Sequence, residues 1–176
     1  MKIKILKFHP DAIIPEKAYD KDFCYDVYAV SEEEISPNVW KYGLGFGLQI
    51  ERGDTPTLLG RFATKNIETD EDFKVVSCGV FDLNACDVSL SIDVRPRSSV
   101  WKTGMVLSNS VGTVDEGYCN EISAVFYHVL PNMPRYKVGD KIAQIKIGTT
   151  FPIEFAEVEE FNKTERGMRG YGSSGK

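Results

Sequence analysis

Two apolar runs near the end of the chain, Ile122-Ser-Ala-Val-Phe-Tyr-His-Val-Leu130 and Ile142-Ala-Gln-Ile-Lys-Ile147, are separated by two turn-like segments, Pro131-Asn-Met-Pro134 and Val138-Gly-Asp-Lys141. Both runs are short and rich in β-branched residues, and the Pro, Asn and Gly residues between them are typical of tight connections. This succession of strands and turns predicts antiparallel β-structure.

The same period of two recurs along the rest of the chain. No segment shows the longer period of a well-capped helix. The sequence therefore predicts an all-β fold, a distorted barrel or double-sheet jelly roll, and disfavours a doubly wound nucleotide-binding fold. The further predicted strands are Lys2 to Phe8, Cys24 to Val30, Gly43 to Ile50, Val75 to Phe81, Val88 to Val94, Gly104 to Ser108 and Ile153 to Val158.

Composition limits the class of protein and partner. The chain has 176 residues, of which 42% are hydrophobic and 27% charged, as in a single soluble domain. It lacks a run of about eighteen apolar residues, and Met1 to Phe8 alternates instead of forming a signal core. We therefore expect a cytoplasmic protein without a membrane partner. A net charge of -5 argues against a nucleic-acid polymer, which needs an extended basic surface.

Cysteine and histidine offer little for metal or nucleophile chemistry. The four cysteines form no CxxC pair, which disfavours structural zinc. Two histidines, His9 and His128, are too few for a histidine metal site and make a Ser-His-Asp triad hard to build. Any metal is expected to be Mg²⁺, held by carboxylates, water and the phosphates of a substrate.

The segment Arg166-Gly-Met-Arg-Gly-Tyr-Gly-Ser-Ser-Gly175 ends the chain, followed by Lys176. Its four glycines disfavour regular structure, so we expect a flexible tail. Arg166 and the two hydroxyls suit phosphate oxygens, and Tyr171 is free to lie flat on a base. The tail is either a lid that a nucleotide orders or a solvated terminus.

Two internal segments offer polar groups at strand ends. In Val94-Arg-Pro-Arg-Ser-Ser-Val100, the side chains of Arg97, Ser98 and Ser99 form either an anion site or the start of a helix. The segment from Asn109 to Tyr118 is interpreted as a hairpin whose backbone could bind a base edge.

Single residues in these segments have more than one interpretation. Asp115, near the Glu-Gly turn, could orient or deprotonate water, or cap its own turn. Gln144 is a polar residue on an otherwise apolar strand. It is either a buried amide of the core or a ligand contact.

Taken in order, five segments resemble the motifs of the trimeric dUTPase family (dUTP diphosphatases), and the resemblance spans nearly the whole chain. They are Phe23-Cys-Tyr-Asp-Val27, Pro96-Arg-Ser-Ser99, Val111 to Ile122, Gly139-Asp-Lys-Ile-Ala-Gln144 and Arg166 to Gly175. The resemblance implies a β-clip domain over residues 1–165. It also implies that residues 166–176 close as a lid over the site of a neighbouring subunit.

The resemblance further implies hydrolysis of dUTP to dUMP and pyrophosphate in a homotrimer with shared sites, limiting uracil incorporation into DNA and supplying dUMP for dTTP synthesis. Asp115 would be the general base at the α-phosphorus, and Asp26 would act through water on Mg²⁺. The other implied substrate-binding residues are Arg97, Ser98, Ser99 and Gln144 for phosphates, Asn109 for uracil, Tyr118 for deoxyribose, Tyr171 over the base, and Arg166, Ser173 and Ser174 for the γ-phosphate.

Some positions depart from the family pattern. Phe23-Cys24 stands where Ala-Gly is usual, Ser108 and Arg169 replace glycines, and Cys119-Asn120 replaces an Arg-Gly or Gln-Gly pair. An insertion at about 52–86 separates the first two motifs and contains the acidic run Ile67 to Phe73. That run is either a solvated surface or a partner-binding one.

Three other functions stay open at this point. A related dCTP deaminase would release ammonia from dCTP. A non-catalytic regulator would bind dUTP and signal through the insertion, and a structural jelly roll would bind no nucleotide.

Overall fold

The computed structural model describes residues 2–51, 58–65, 75–82, 89–151, 153–165 and 167–169, with 58–65 and 75–82 described by their backbone. These residues form twelve strands and one short 3₁₀ helix, Ser98–Lys102, which confirms the predicted all-β fold. The strands are β1 Lys2–Lys7, β2 Tyr25–Tyr28, β3 Ser31–Ser36, β4 Val39–Gly43, β5 Phe46–Glu51, β6 Leu58–Lys65, β7 Val75–Asp82, β8 Ser89–Pro96, β9 Met105–Leu107, β10 Gly112–Val114, β11 Ser123–His128 and β12 Lys141–Thr150.

Two four-stranded antiparallel sheets form the body of the domain. One has the order β10-β8-β12-β2 and the other β3-β4-β11-β9. A separate two-stranded sheet joins β1 to β5. Neighbours in each sheet are mostly distant in sequence, as the crossing connections of a jelly roll require.

The hydrophobic core unites residues from the two larger sheets. Ile92 and Ile142 come from the first sheet, Tyr42 and Phe126 from the second, and all four belong to one buried cluster. Burial of each such side chain stabilises the fold by about 1.5 to 3 kcal/mol. The period-two pattern of the sequence therefore corresponds to inward-facing residues on both sheets.

Three aromatic rings organise one end of this core. Tyr42 meets Phe126 edge to face with ring centroids 5.9 Å apart, and Tyr136 lies 5.4 Å from Phe126. The Tyr42 hydroxyl donates a hydrogen bond of 2.9 Å to the Tyr136 carbonyl. This bond gives the buried phenol a partner and fixes the segment between β11 and β12 against the core.

One predicted strand is wrong. Ile153 to Val158 forms no strand, and its apolar side chains are exposed, with 91% of the Phe155 surface accessible. Alternation alone does not make a strand, because each strand also needs a sheet edge that supplies hydrogen bonds.

Other strands were missed by the sequence analysis. β3 has the sequence Ser-Glu-Glu-Glu-Ile-Ser, and its three glutamates interrupt the alternation of apolar and polar residues that predicts a strand. It pairs only with β4 and lies at the edge of its sheet, where charged side chains are common.

The insertion contains the antiparallel pair β6 and β7, in which Phe62 is opposite Gly79. The prediction of a strand at Val75 to Phe81 is confirmed by β7. The rest of the insertion, including the acidic run from Ile67 to Phe73, lies outside the described residues. In the part of the chain that the structure describes, no helix has the length and apolarity to cross a bilayer.

Candidate active site

The most enclosed charge among the described side chains is Asp26, on β2, with 8% of its surface exposed. Both of its carboxylate oxygens accept hydrogen bonds from cations. Arg97 Nε donates to Oδ1 at 3.1 Å, and Lys141 Nζ donates to Oδ2 at 3.1 Å. Because a buried carboxylate is stable only when it is paired, these two contacts account for its position inside the domain.

Arg97 reaches Asp26 from the start of the 3₁₀ helix. Its backbone is extended, with φ -74 and ψ 154, and its carbonyl accepts the first helical bond from the Val100 N–H at 3.0 Å. The guanidinium lies within 3.4 Å of the Lys141 carbonyl and 3.5 Å of Ser99 Oγ. The segment is thus a helix start, as one interpretation held. Its arginine is paired with Asp26, and the interpretation of the segment as an anion site stays a prediction.

Gln144 lies beside Asp26 because the two residues are opposite each other in the pairing of β12 with β2. Its side-chain amide donates to the Pro96 carbonyl at 3.2 Å and is only partly buried. Asp26 and Gln144 line a cavity of about 270 Å³, here called the Asp26 cavity, together with Ala18, Asp22, Phe23 and Cys24. Gln144 is therefore a fixed amide at the wall of a cavity, and its Nε2 carries a second N–H besides the one that donates to Pro96.

A second cavity contains Asn109, Asp115 and Tyr118. This Asn109 pocket has a volume of about 200 Å³, and its remaining lining is mainly apolar: Val94, Leu107, Gly112, Thr113, Val114, Ile122, Ser123 and Ala124. The space suits one flat ring, since pockets for larger ligands start at about 300 Å³. A mixture of polar and apolar lining groups is compatible with a heterocyclic ring.

Gly112 shapes the Asn109 pocket by lacking a side chain. A Cβ atom at this position would lie 2.8 Å from Asn109 Nδ2, closer than real Cβ contacts. The preceding turn is also tight, because Ser110 has a positive φ of 61° and its N–H donates to the Leu107 carbonyl at 3.2 Å. The Asn109 amide therefore packs directly on the backbone of β10.

The hairpin interpretation of the Asn109 to Tyr118 segment is wrong in its pairing. β10 pairs with β8, whereas the strands on either side of it, β9 and β11, pair with each other in the opposite sheet. The predicted turn itself is present, since the Tyr118 N–H donates to the Asp115 carbonyl at 3.0 Å. The segment therefore crosses from the sheet of β9 to the sheet of β8, and Gly112, at the start of β10, is its buried residue.

Tyr118 is held by its hydroxyl. The phenol donates to the Glu121 carbonyl at 2.9 Å, and its ring is partly exposed at the pocket wall. A ring fixed in this way can serve as a flat platform for a ligand without losing its own conformational entropy. Asp115 lines the same pocket, and its carbonyl accepts from the Tyr118 N–H at 3.0 Å, so the proposed base and the proposed platform are neighbours.

The predicted site residues thus fall into two groups within one chain. The first group comprises Asp26, Arg97, Ser99 and Gln144, and the second comprises Asn109, Asp115 and Tyr118. None of the described residues lines both cavities. Ser98 begins the 3₁₀ helix beside the first group. The tail residues Arg166, Tyr171, Ser173 and Ser174 lie outside the described residues.

Lys141 is a residue that the sequence analysis quoted within a motif but gave no role. The Tyr28 side chain and the Asp26 carboxylate raise the pKa of its ammonium group above the usual value, although partial burial opposes this. Its Nζ also lies 5.3 Å from the centre of the Tyr28 ring. Lys141 is therefore protonated at neutral pH. The sequence feature that could have drawn attention to Lys141 is its position directly before the apolar run of β12.

The residues around the Asp26 cavity are compatible with Mg²⁺. Two carboxylates, Asp22 and Asp26, line it. Among the described side chains no group of three or more His, Cys, Asp and Glu residues could enclose an ion. Magnesium commonly binds through one or two carboxylates with water and substrate phosphates completing its shell, so this donor set fits an ion that arrives with a polyphosphate.

Comparison with protein families matches residues 81–175, more than half of the chain, to the dUTPase family. The deoxyuridine 5'-triphosphate nucleotidohydrolase of Helicobacter pylori is 30% identical over 179 aligned residues, which cover 99% of this chain and 97% of the relative. The chain belongs to the dUTPase family. The predicted family and the predicted enzyme class, a dUTP diphosphatase, are thereby confirmed.

Solved structures of phage dUTPases share the fold. The dUTPase of Staphylococcus bacteriophage 80alpha, determined with dUPNHPP, superposes with a TM-score of 0.66 at 19% identity, covering 99% of this chain and 98% of the phage chain. A mutant dUTPase from phage phi11 of S. aureus, described for its coordination of a structural Mg(II) ion, gives a TM-score of 0.61 at 16% identity, with coverages of 93% and 100%. The jelly-roll-like architecture of this dUTPase family member is therefore that of its relatives.

Proposed function

We propose that the protein hydrolyses dUTP to dUMP and pyrophosphate, with Asp115 activating the attacking water and Mg²⁺ assisting at the triphosphate. The observation that carries this proposal is the grouping of Asp115 with Asn109 and Tyr118 around a ring-sized pocket in a chain of the dUTPase family. The family and the dUPNHPP bound to the phage 80alpha enzyme support dUTP as substrate, in preference to deamination of dCTP or to sensing without catalysis.

The Asn109 pocket would take uracil. The close packing of Asn109 on Gly112 places amide and backbone groups at one edge, where they can pair with the carbonyl and N–H groups of the base. A pocket of about 200 Å³ leaves little room for substituents, so it would disfavour thymine's methyl group. Tyr118 would lie against the deoxyribose and exclude a 2′-hydroxyl.

Asp115 would accept a proton from the attacking water. The water oxygen forms a bond to the α-phosphorus while the bond from that phosphorus to the bridging oxygen breaks, so pyrophosphate departs with the electron pair. The proton passes to the Asp115 carboxylate. General-base catalysis of this kind contributes about 10² to 10⁴ in rate.

The phosphates would be held by the first group of residues. Arg97, Ser98, Ser99 and Gln144 supply donors near the Asp26 cavity, and Arg166, Ser173 and Ser174 of the tail would contact the γ-phosphate while Tyr171 covers the base. Bound Mg²⁺ would neutralise part of the triphosphate charge. Asp26 would orient the water around the ion, with Asp22 on the same wall of the cavity.

The separation of the two groups supports a homotrimer with shared sites. If one site needs the Asn109 pocket and the Asp26 cluster side by side, then two subunits can supply them across an interface. Residues 166–176 would close as a lid over the site of a neighbouring subunit, and residues 1–165 would form the single β domain. In the cytoplasm, the reaction would limit uracil incorporation into DNA and provide dUMP for dTTP synthesis.

The test is an accounting of products. The protein is incubated with Mg²⁺ and, separately, with dUTP, dCTP, dTTP and UTP, and the products are resolved by chromatography. We expect dUMP and pyrophosphate in equal amounts from dUTP, and little turnover of the other three nucleotides. Ammonia from dCTP would indicate a deaminase, and retained dUTP binding without turnover would indicate a regulator.

A further inference from the structure

Asp26, Arg97, Lys141 and Glu16 form a charge cluster that spans three of the family motifs and the segment before β2. Its two carboxylates and two cations balance in charge. Lys141 Nζ lies 3.1 Å from Asp26 Oδ2 and 3.9 Å from Glu16 Oε1, and the Tyr28 hydroxyl donates to Glu16 Oε1 at 2.8 Å. The cluster is therefore complete in the absence of nucleotide.

Lys141 and Arg97 approach Asp26 from outside the Asp26 cavity. Neither is among the described residues that line this cavity, whereas Asp26 and Gln144 are. The other neighbours of Lys141, Glu16 and Tyr28, are also not among those lining residues. Lys141 therefore touches a cavity residue without facing the cavity.

The proposed function requires Arg97 to change partners. In this structure its guanidinium is engaged by Asp26, by the Lys141 carbonyl and by Ser99. If it turns to a phosphate, Asp26 loses the cation on Oδ1. A mostly buried carboxylate left beside a polyphosphate would repel the ligand, and this repulsion is strong where water is scarce.

We propose that Lys141 is a positioning residue that keeps Asp26 compensated and oriented while Arg97 transfers to the phosphates. This inference rests on the proposed function and deepens it. Lys141, without contacting the nucleotide, would allow Arg97 to leave Asp26 and bind the phosphates. Without the ammonium group, Arg97 would be the sole strong partner of Asp26 and would leave it less readily.

The experiment measures affinity for the non-hydrolysable dUPNHPP by calorimetry, in EDTA and in Mg²⁺, for the full-length chain. Lys141→Gln, which keeps the length and a donor but removes the charge, should weaken binding about tenfold in EDTA, within the range usual for coupled neighbours. The loss should be smaller with Mg²⁺, because the ion supplies positive charge near Asp26. Lys141→Arg should restore wild-type affinity.

A double-mutant cycle separates this role from direct contact. In an Asp26→Asn background the Lys141→Gln substitution should have no further effect on affinity, because there is no carboxylate left to compensate. A tenfold loss that persists in that background would show that Lys141 binds the nucleotide itself and would overturn the proposal.

Controls address stability and the proposed function. Lys146→Gln changes a lysine on the same strand, opposite Asp93, and should leave affinity unchanged. Equal losses for Lys141→Gln and Lys141→Arg would also overturn the proposal, since a charge-based role predicts rescue by arginine. If the wild-type protein neither binds dUPNHPP nor hydrolyses dUTP, the proposed function itself is refuted. If the wild-type protein binds dUPNHPP and Lys141→Gln binds it equally well, only the inference about Lys141 is refuted.

Discussion

Asn109 and Gly112 both shape the Asn109 pocket. The absence of a Cβ atom at position 112 allows the Asn109 amide to pack on the β10 backbone. The positive φ of Ser110 makes the turn before β10 tight. Because Gly112 lies at the end of a short strand, we expect a substitution there to affect ligand binding more than overall stability.

The first prediction therefore concerns Gly112→Ala. The added methyl group would lie 2.8 Å from Asn109 Nδ2 and displace the amide. We expect affinity for dUPNHPP to fall about tenfold, the upper end for the loss of one hydrogen bond, with a nearly unchanged melting temperature. Calorimetry and thermal unfolding measure the two quantities. Gly117→Ala, whose added methyl group meets no atom within 4 Å, is the matched control; equal effects of both variants would contradict the explanation.

The second prediction concerns the proposed base. Asp115→Asn keeps the shape of the side chain but removes its ability to accept a proton, so kcat should fall by about 10² to 10⁴. Nucleotide affinity should remain close to that of the wild type, because other groups supply binding. Asp11→Asn, at an aspartate whose side chain is 83% exposed, serves as control. Near-normal turnover by the Asp115 variant would remove this residue from the mechanism.

At the scale of elements, the edge strand β3 is tied to the segment between β11 and β12 by an ion pair. Arg135 Nη2 donates to Glu32 Oε1 at 3.0 Å, and the guanidinium lies 3.5 Å from the centre of the Trp40 ring. The hydrogen bond from Arg135 lowers the pKa of Glu32, although burial opposes it. Glu32, one of three consecutive glutamates in β3, is thus paired with Arg135, which the sequence of β3 alone does not predict.

The third prediction follows from this pair. Because the folded state lowers the pKa of Glu32, the stabilisation is complete above the ordinary value of 4.5 and is lost as the pH falls through the lower folded value. Glu32→Gln should reduce the free energy of unfolding by about 1 to 3 kcal/mol at pH 7. The difference from the wild type should shrink on acidification below 4.5.

Urea unfolding as a function of pH measures this difference. The neighbouring exposed residue provides the control, because Glu33→Gln should leave both the stability at pH 7 and its pH dependence unchanged. A constant deficit of Glu32→Gln at all pH values would mean that packing, and not the charge, is responsible.

At the scale of the whole molecule, one chain carries the two halves of the proposed site in separate cavities. The Asn109 pocket lies where β9 and β10 separate into opposite sheets, whereas the Asp26 cavity lies where β2 pairs with β12. An assembly that brings these regions of different subunits together would complete the site without new secondary structure.

The fourth prediction is complementation between two inactive variants. Asp115→Asn damages one half of the site and Arg97→Ala the other, so each homotrimer should be inactive. In trimers formed by refolding a mixture, about a quarter of the sites would draw both intact halves from different subunits. The dUTPase activity of the mixture should recover toward this fraction. If sites were confined to single chains, mixing would restore nothing, which is the outcome that would refute shared sites.

Sequence patterning alone was sufficient for the β class and for most strands, whereas the five motifs came from the resemblance to the dUTPase family. Period-two alternation reports which side of a strand is buried. Asp26, Arg97, Asn109, Asp115, Tyr118 and Gln144 were proposed as site residues from their segments and from the resemblance to the family motifs, and their roles remain predictions. The tail residues and the acidic run of the insertion remain predictions.

Only the tertiary structure decided which strands pair and which charges meet. Ile153 to Val158 alternates but has no sheet edge, β3 is acidic yet paired, and β9 and β10 are consecutive but belong to opposite sheets. Lys141 reaches Asp26 across 115 residues of sequence. Local patterns report which face of a segment is apolar, whereas pairing and ion contacts depend on distances between segments far apart in the chain, which the fold alone sets.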